Sequence, residues 1–470
     1  TTSKIANNQI IRMDLNNRHS AAAKTPHSSR HWPLWILYLA VLLNIAWPMQ
    51  HSVAIRNILL LLLLMVSFAQ AWRQHIRPWQ ADELKLPGKL YLALTGWLLA
   101  TVLLADDPLN SLNQYRGEWL MATLALLTGL LCARLAQQTE SNALTPLSLT
   151  SALAFALAVP ALLVIGNALL VWVKTHVLPF WDAPLLGRTA ASEINNMLYG
   201  ILIADALSRS ARRPPLLLLS KTCLALALLL VLVATYLLNT RNSTIGILLM
   251  TLFALSLLAW QQRQRINKLA LLLAGIAAIA TIGWYAHISY RADARWTAFN
   301  ESVEIAMDTE HNKAWLNTAL PLPLMSNGQH VDHSAYMRMA WAKEGALAIL
   351  DYPLGVGFGR NAFGHAMLRK YGIGRGHSHS GLIDFALSGG IPGLLLWLGF
   401  SAVLLRFGWR SYFRDSNPTG LALTLLIAGT LFRMIVDSNL RDHGLEQYLF
   451  LLAVFAVLTC RNDIPATQIS

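Results

Sequence analysis

From Ile58 to Met65 the chain has no polar residue, and this run lies inside one of twelve apolar stretches of membrane-spanning length. A bilayer core of ~30 Å takes about 20 mostly apolar residues per helix. The stretches are 32–50, 52–71, 89–105, 117–136, 147–172, 194–208, 220–238, 244–260, 269–287, 381–405, 421–437 and 446–460. The sixth is short and polar at both ends; the fifth is long, and its Pro160 is expected to kink it. Composition agrees with a membrane protein. Charged residues make up 13%, against roughly 25% in a soluble domain. A water-facing globular surface, a disordered chain and, with three cysteines, a disulfide scaffold are excluded. Cys132, Cys223 and Cys460 lie in or at the ends of spans without metal-ligand spacing, as small packing residues do. The expected fold class is an all-α polytopic integral membrane protein with about 12 transmembrane helices.

Twelve spans put both termini on one side, and lysine and arginine decide which. Lys4, Arg12, Arg18, Lys24 and Arg30 crowd the first tail. Arg73, Arg77, Lys85 and Lys89, then Arg134, Arg209, Arg212, Arg213 and Lys221, fall on the same side. So do Arg263, Arg265, Lys268, Arg406, Arg410, Arg414 and Arg461, whereas short opposite connections such as Asp106-Asp107-Pro108 are poor in both residues. Both ends are therefore expected in the cytoplasm, and the net charge of +13 becomes an orientation signal rather than a nucleic-acid footprint. The polar first segment carries no cleavable signal pattern. The expected division is a cytoplasmic tail at 1–31, nine spans within 32–287, a long outer loop at 288–380, three spans within 381–460 and a tail at 461–470.

The loop at 288–380 is the one long outer segment, and function is expected in it and in the spans that meet it. It holds His311, His330, His333, His365, His377 and His379. Helical spacing of Met337, Ala340, Trp341 and Ala348 predicts a helix from about Asp332 to Leu350, with Asp332 as N-cap and Pro353 beyond its end. Glu344 and Gly345 interrupt the apolar stripe. Gly355, Gly357 and Gly359 follow, but neither a Walker pattern nor GxGxxG is present, and tight turns are the expected use.

Gly376-His377-Ser378-His379-Ser380 leads directly into the tenth span. A histidine titrates near neutral pH and can act as a general base. Zinc would need a third ligand, and no nearby acid is suitably spaced. Capping by Ser378 or Ser380 beside interfacial histidines is the plain alternative. Arg188, Arg241, Arg338, Arg375, Arg291 and Arg295 are expected near the same membrane face. Arginines converging there suit a phosphate-bearing ligand, although any one of them can snorkel to head groups or pair with an acid such as Glu193. Asp384 lies one turn into span ten, and Asp442, His443 and Glu446 cluster at the start of span twelve. Arg433 and Asp437, four apart, are expected to form a structural ion pair.

His379-Ser380, nine residues, Gly390 and then Gly393 resemble the His-Asn/Ser motif of the O-antigen ligase (WaaL) family. Arg338 with Trp341, Asp351-Tyr352-Pro353-Leu354-Gly355-Val356-Gly357 and His379-Ser380-Gly381-Leu382-Ile383 resemble the Wzy-C domain shared with the O-antigen polymerases. Thr240-Arg241 is similar to that family's Ser-Arg at a span end. Gly187-Arg188 through Asn195-Asn196 is similar to its Gly-(Arg)…Asn-Pro-Asn stretch, without the proline. The resemblance implies a GT-C-like fold and transfer of a glycan from an undecaprenyl diphosphate carrier at the periplasmic face of a bacterial inner membrane. The implied acceptor is lipid A–core, and the reaction is inverting and metal-independent, with no cofactor and no nucleic acid. On this resemblance His379 is the catalytic base and Arg188, Arg241 and Arg338 hold the diphosphate, with His377, Arg375 and Arg291 in support. Rival readings are a polymerase or protein O-oligosaccharyltransferase of the same superfamily, and a twelve-helix transporter or flippase. The last would show an internal repeat of the two halves, which the sequence lacks.

Overall fold

The computed structural model describes residues 31–76, 81–138, 143–180, 185–262, 276, 280, 298–439 and 442–460, the side chains of 241, 442 and 443 excepted. The helices are α1 (Trp32–Ala46), α2 (Val53–Arg73), α3 (Asp82–Thr101), α4 (Pro108–Gln114), α5 (Met121–Gln138), α6 (Pro146–Thr175), α7 (Arg188–Ser210), α8 (Lys221–Leu238) and α9 (Arg241–Gln262). Then follow α10 (Phe299–Met307), α11 (His333–Asp351), α12 (Ala362–Tyr371), α13 (Gly381–Asp415), α14 (Pro418–Val436) and α15 (Asp442–Thr459). Among the described residues there is no β-strand, only isolated bridges such as Leu324 with His330. The molecule is all-α.

Among the described residues, eight helical segments are long and apolar enough to cross a membrane: α2, α3, α4 through α5, α6, α8, α9, α13 and α14. Trp32–Ala46 and Gly444–Thr459 are shorter apolar helices. The weak sixth stretch is α7, whose residues 191–202 are all buried. Packed between α6, α8, α9 and α14, α7 meets protein rather than lipid, so it can carry Glu193, Asn195 and Asn196. The ninth expected stretch, 269–287, lies outside the described residues apart from 276 and 280. Several boundaries differ from expectation: α7 begins six residues early at Arg188 and α13 runs ten residues on to Asp415. α3 begins at Asp82, seven residues early, where Asp82 and Glu83 sit in its first turn and favour the positive helix end. α6 runs on through Pro160 as one helix, its start closed by a reciprocal Thr145–Ser148 capping box.

The segment from α10 to α12 has its own apolar core, built on Trp315, Tyr336, Ala340, Phe363 and Met367. As expected, α11 starts at an acidic N-cap: the Asp332 carboxylate accepts from the Ala335 N–H at 2.7 Å. The two residues that break its apolar stripe both have packing uses. Glu344, 3% exposed, accepts from the Tyr371 hydroxyl at 2.7 Å. A Cβ on Gly345 would come within 2.4 Å of Ile383, so glycine lets α11 lie close on α13.

The glycine run after Pro353 docks into a break in α13. Gly390 has φ 70° and ψ 177°, outside helical space. The broken turn is closed from outside: Ile391 N–H donates to Pro353 O and Val356 N–H to Leu387 O, both at 2.8 Å. The run is thus a backbone clamp on a span, in keeping with turns rather than a nucleotide loop.

Candidate functional site

A cavity of about 890 Å³ opens where α7, α9 and α11 begin and α14 ends, around the start of α13. Arg188, Arg338, His377 and His379 all line it. Arg188 is the first residue of α7, after Gly187 as N-cap, and is exposed. Arg338 comes from α11, and its Nη1 donates to Asn242 Oδ1 of α9 at 3.1 Å, joining the loop segment to a span. Arg241 opens α9; its side chain is outside the described residues, but its neighbours Thr240 and Asn242 line the cavity. Arg375 is not part of the lining; its carbonyl oxygen stands where a Cβ on Gly364 would be. Arg291 and Arg295 lie outside the described residues.

His379 adopts φ 60°, the left-handed region that side chains with a Cβ rarely occupy. Such strain persists only where surrounding structure holds it. Its ring stacks on Trp341 at 5.4 Å between centroids and 12° between planes. Trp341 is itself fixed, donating Nε1–H to Trp315 O at 3.1 Å. The His377 ring stands edge-on to His379 at 4.1 Å. The expected serine cap of the tenth span is not made. Ser380 is the N-cap residue of α13 without a side-chain bond to the helix; its hydroxyl donates to Met434 O at 3.2 Å, and Ser378 Oγ donates to Ser380 O at 3.0 Å. The reason is that the turn folds back on α14, where Gly381 N–H also donates to Asp437 O at 2.9 Å. Asp384 takes up the local N–H group instead, accepting from Ser378 N–H at 2.9 Å.

The other loop histidines serve elsewhere. His311 bonds the exposed Asp308 at 2.8 Å, which raises the imidazole pKa above its ordinary value and lowers that of the carboxyl. His330 bonds Leu322 O at 3.0 Å.

The Arg433–Asp437 pair forms as expected, at 2.8 Å, with Arg433 2% exposed. It also lines the cavity, which helical spacing alone does not reveal. Arg433 Nη2 further donates to Ser192 Oγ at 2.8 Å and Thr189 O at 3.3 Å, binding α14 to the first turn of α7. Ser438, between α14 and α15, is a lining residue not singled out from sequence. Its neighbours in the chain carry no motif, and only the pairing of 434–438 with 378–381 brings it in. The lining thus joins the guanidinium groups of Arg188, Arg338 and Arg433, two imidazoles, and the carboxylates of Glu193 and Asp437. Guanidinium forks suit phosphate oxygens, and an imidazole suits a hydroxyl proton.

Residues 226–398 match the Wzy_C family model, described as O-antigen ligase. The match takes in Arg241, Arg338, His377 and His379 and leaves out Arg188 and Arg433. No curated protein matches the chain.

Proposed function

We propose that the chain, whose residues 226–398 match the Wzy_C model, transfers a glycan from undecaprenyl diphosphate to a hydroxyl of lipid A–core. The domain implies a lipid-linked glycan substrate in a membrane setting. The observation that carries the finer reading is the one cavity shared by three distant stretches of the chain, those of Arg188, of Arg338 and of His377 with His379.

In the proposed reaction the acceptor oxygen attacks the anomeric carbon from the face opposite the diphosphate. The new C–O bond forms as the bond to the phosphate oxygen breaks, with inversion. His379 takes the acceptor's proton. Charge grows on the departing diphosphate, and Arg188, Arg241 and Arg338 stabilise it where a metal ion would otherwise be needed. Loss of a positioned general base typically costs about 10²–10⁴-fold. The enzyme is placed in a bacterial inner membrane with both termini cytoplasmic and the cavity periplasmic, which the lysine and arginine distribution supports.

The test is glycan transfer in proteoliposomes supplied with carrier-linked glycan and lipid A–core. His379→Ala is expected to lower kcat at least about 100-fold; full transfer by this variant overturns the base assignment. Transfer abolished by EDTA and restored by a divalent cation overturns the metal-free scheme. Preference for a repeat unit or a pilin over lipid A–core overturns the acceptor.

A further inference from the structure

The last turns of α11 and the residues after it turn large apolar side chains outward. Leu347, Leu350 and Leu354 are 40%, 72% and 52% exposed. None of them lines the cavity, as Arg338, Met339 and Ala342 of α11 do, and none enters the core of the loop segment, as Met337, Ala340 and Ala348 do. Position within 288–380 alone would put them in water, where a helix face is ordinarily polar. The stripe does not end with α11. Ile391 N–H donates to Pro353 O at 2.8 Å, and the Leu354 backbone lies against Gly390. Ile391 and Leu395, four apart on α13, are exposed as well. α13 is long and apolar enough to cross a membrane, so its outward apolar face is a lipid face. Five exposed apolar residues thus run from that face, over the clamp, onto α11. Polar groups mark its level and its edge. Trp97 of α3 donates Nε1–H to Gly389 O at 2.6 Å, and tryptophan favours the membrane–water boundary. Lys343, one turn before Leu347, donates to Met307 O at 2.8 Å. Asp351, between Leu350 and Leu354, is paired with Lys370 at 2.8 Å.

We propose that Leu347, Leu350 and Leu354 are seated in the lipid of the leaflet on the cavity side, so that the membrane itself holds the last turns of α11. A contiguous exposed apolar patch marks an interaction surface, and this one continues a span face without a break. Its side chains are aliphatic and its one acid is paired, as suits the boundary between head groups and acyl chains. The same helix carries Arg338, which lines the cavity, and Trp341, which stacks on His379. Lipid seating at the C-terminal end of α11 therefore sets the height of both groups above the bilayer. The long loop is in this respect a part of the membrane domain, with its cavity wall and its lipid face on one helix.

The experiment is spin labelling of the full-length protein in phosphatidylcholine nanodiscs. Leu347→Cys, Leu350→Cys, Leu354→Cys and Leu395→Cys are labelled one at a time, with Asn327→Cys, in an exposed turn, as the water reference. All carry Cys223→Ser, since Cys223 is exposed. Collision of each label with oxygen, which concentrates in lipid, is compared with collision with a water-soluble nickel chelate. Oxygen is expected to dominate at positions 350 and 354, as at 395, and the chelate to dominate at 327. Position 347, closest to Lys343, is expected to fall between them. Chelate dominating at 350 and 354 overturns the proposal by placing the stripe in water. Low rates with both reagents at these positions overturn it by placing the stripe against protein, such as a second copy of the chain. Positions 350 and 354 are read independently, so failure of one variant to fold leaves the other to decide. No part of the readout depends on glycan transfer, so the proposed reaction and the lipid seating stand or fall separately.

Discussion

At the scale of single residues, one glycine in an unfavourable conformation and one buried ion pair hold separate segments of the chain together. Gly390 is the clearest conformational case. Its φ of 70° and the Leu354 carbonyl carbon 2.4 Å from any Cβ leave no room for a side chain. Gly390→Ala is expected to lower stability by about 1–3 kcal/mol, seen as a lower Tm in detergent, and to weaken the clamp of 353–356 on α13. A Tm equal to wild type would show that the break in α13 is not required. The buried pair makes a sharper test. Removing one partner of a buried ion pair costs about 3–5 kcal/mol, because the other charge stays buried and unpaired. Asp437→Ala and Arg433→Ala are each expected to destabilise in that range, and the double variant to cost less than the sum. Additive losses would mean that the two side chains act separately. The Gly390 motif position was visible in sequence, but its break in the helix was not, since glycine within a long apolar run reads equally as close helix packing. The place of His379 beside the cavity was legible from its motif; that of Ser438 was not, because it depends on contact between segments some 60 residues apart in sequence, as with its bond to His377.

At the scale of elements, the loop segment is tied to the membrane helices by a few polar clasps in addition to its own core. Arg369 on α12 donates to the Asp106 carboxylate at 3.0 and 3.1 Å and to Leu104 O at 2.8 Å, reaching the connection after α3. The guanidinium holds the Asp106 carboxyl below its ordinary value of 3.8. The sign follows from linkage: a depressed carboxylate pKa adds stability above the unfolded value, and that contribution is lost as pH falls through the folded one. Asp106 is half exposed, so the contribution is held to less than about 1 kcal/mol by solvent screening. Asp106→Asn is expected to melt slightly below wild type at pH 6, with the gap closing as acid protonates the wild-type carboxyl and leaves both side chains neutral. A gap that widens in acid would contradict the clasp. Helices were the legible elements, since spans and α11 announce themselves through apolar runs, spacing and an acidic N-cap. Boundaries were less so: α3 begins in the charged Asp82–Lys89 stretch, where the first-turn acids outweigh low hydropathy. α7 was the weakest stretch in sequence for a physical reason, because a helix wrapped by protein does not need an apolar face toward lipid.

At the scale of the whole molecule, charge and architecture act together. The cavity gathers the ends of α7, α9 and α11 with the start of α13 at one end of the bundle. The basic turn carrying Arg209, Arg212 and Arg213 follows the far end of α7, which begins at the cavity with Arg188. By the positive-inside rule the two ends of this one helix are expected on opposite sides, and with them the side of the proposed transfer. Two cysteine probes decide it. Ser210→Cys reports the basic turn, and Asn327→Cys reports an exposed turn between α10 and α11. Both are made with Cys223→Ser, since Cys223 is exposed while Cys132 and Cys460 are buried. In cells with a permeabilised outer membrane, an impermeant maleimide is expected to label the Asn327→Cys protein and to spare the Ser210→Cys protein until the inner membrane is opened. The reverse pattern would place the cavity in the cytoplasm, beside a pool of soluble nucleotide-sugar donors, and would remove the reason for a donor carried on lipid.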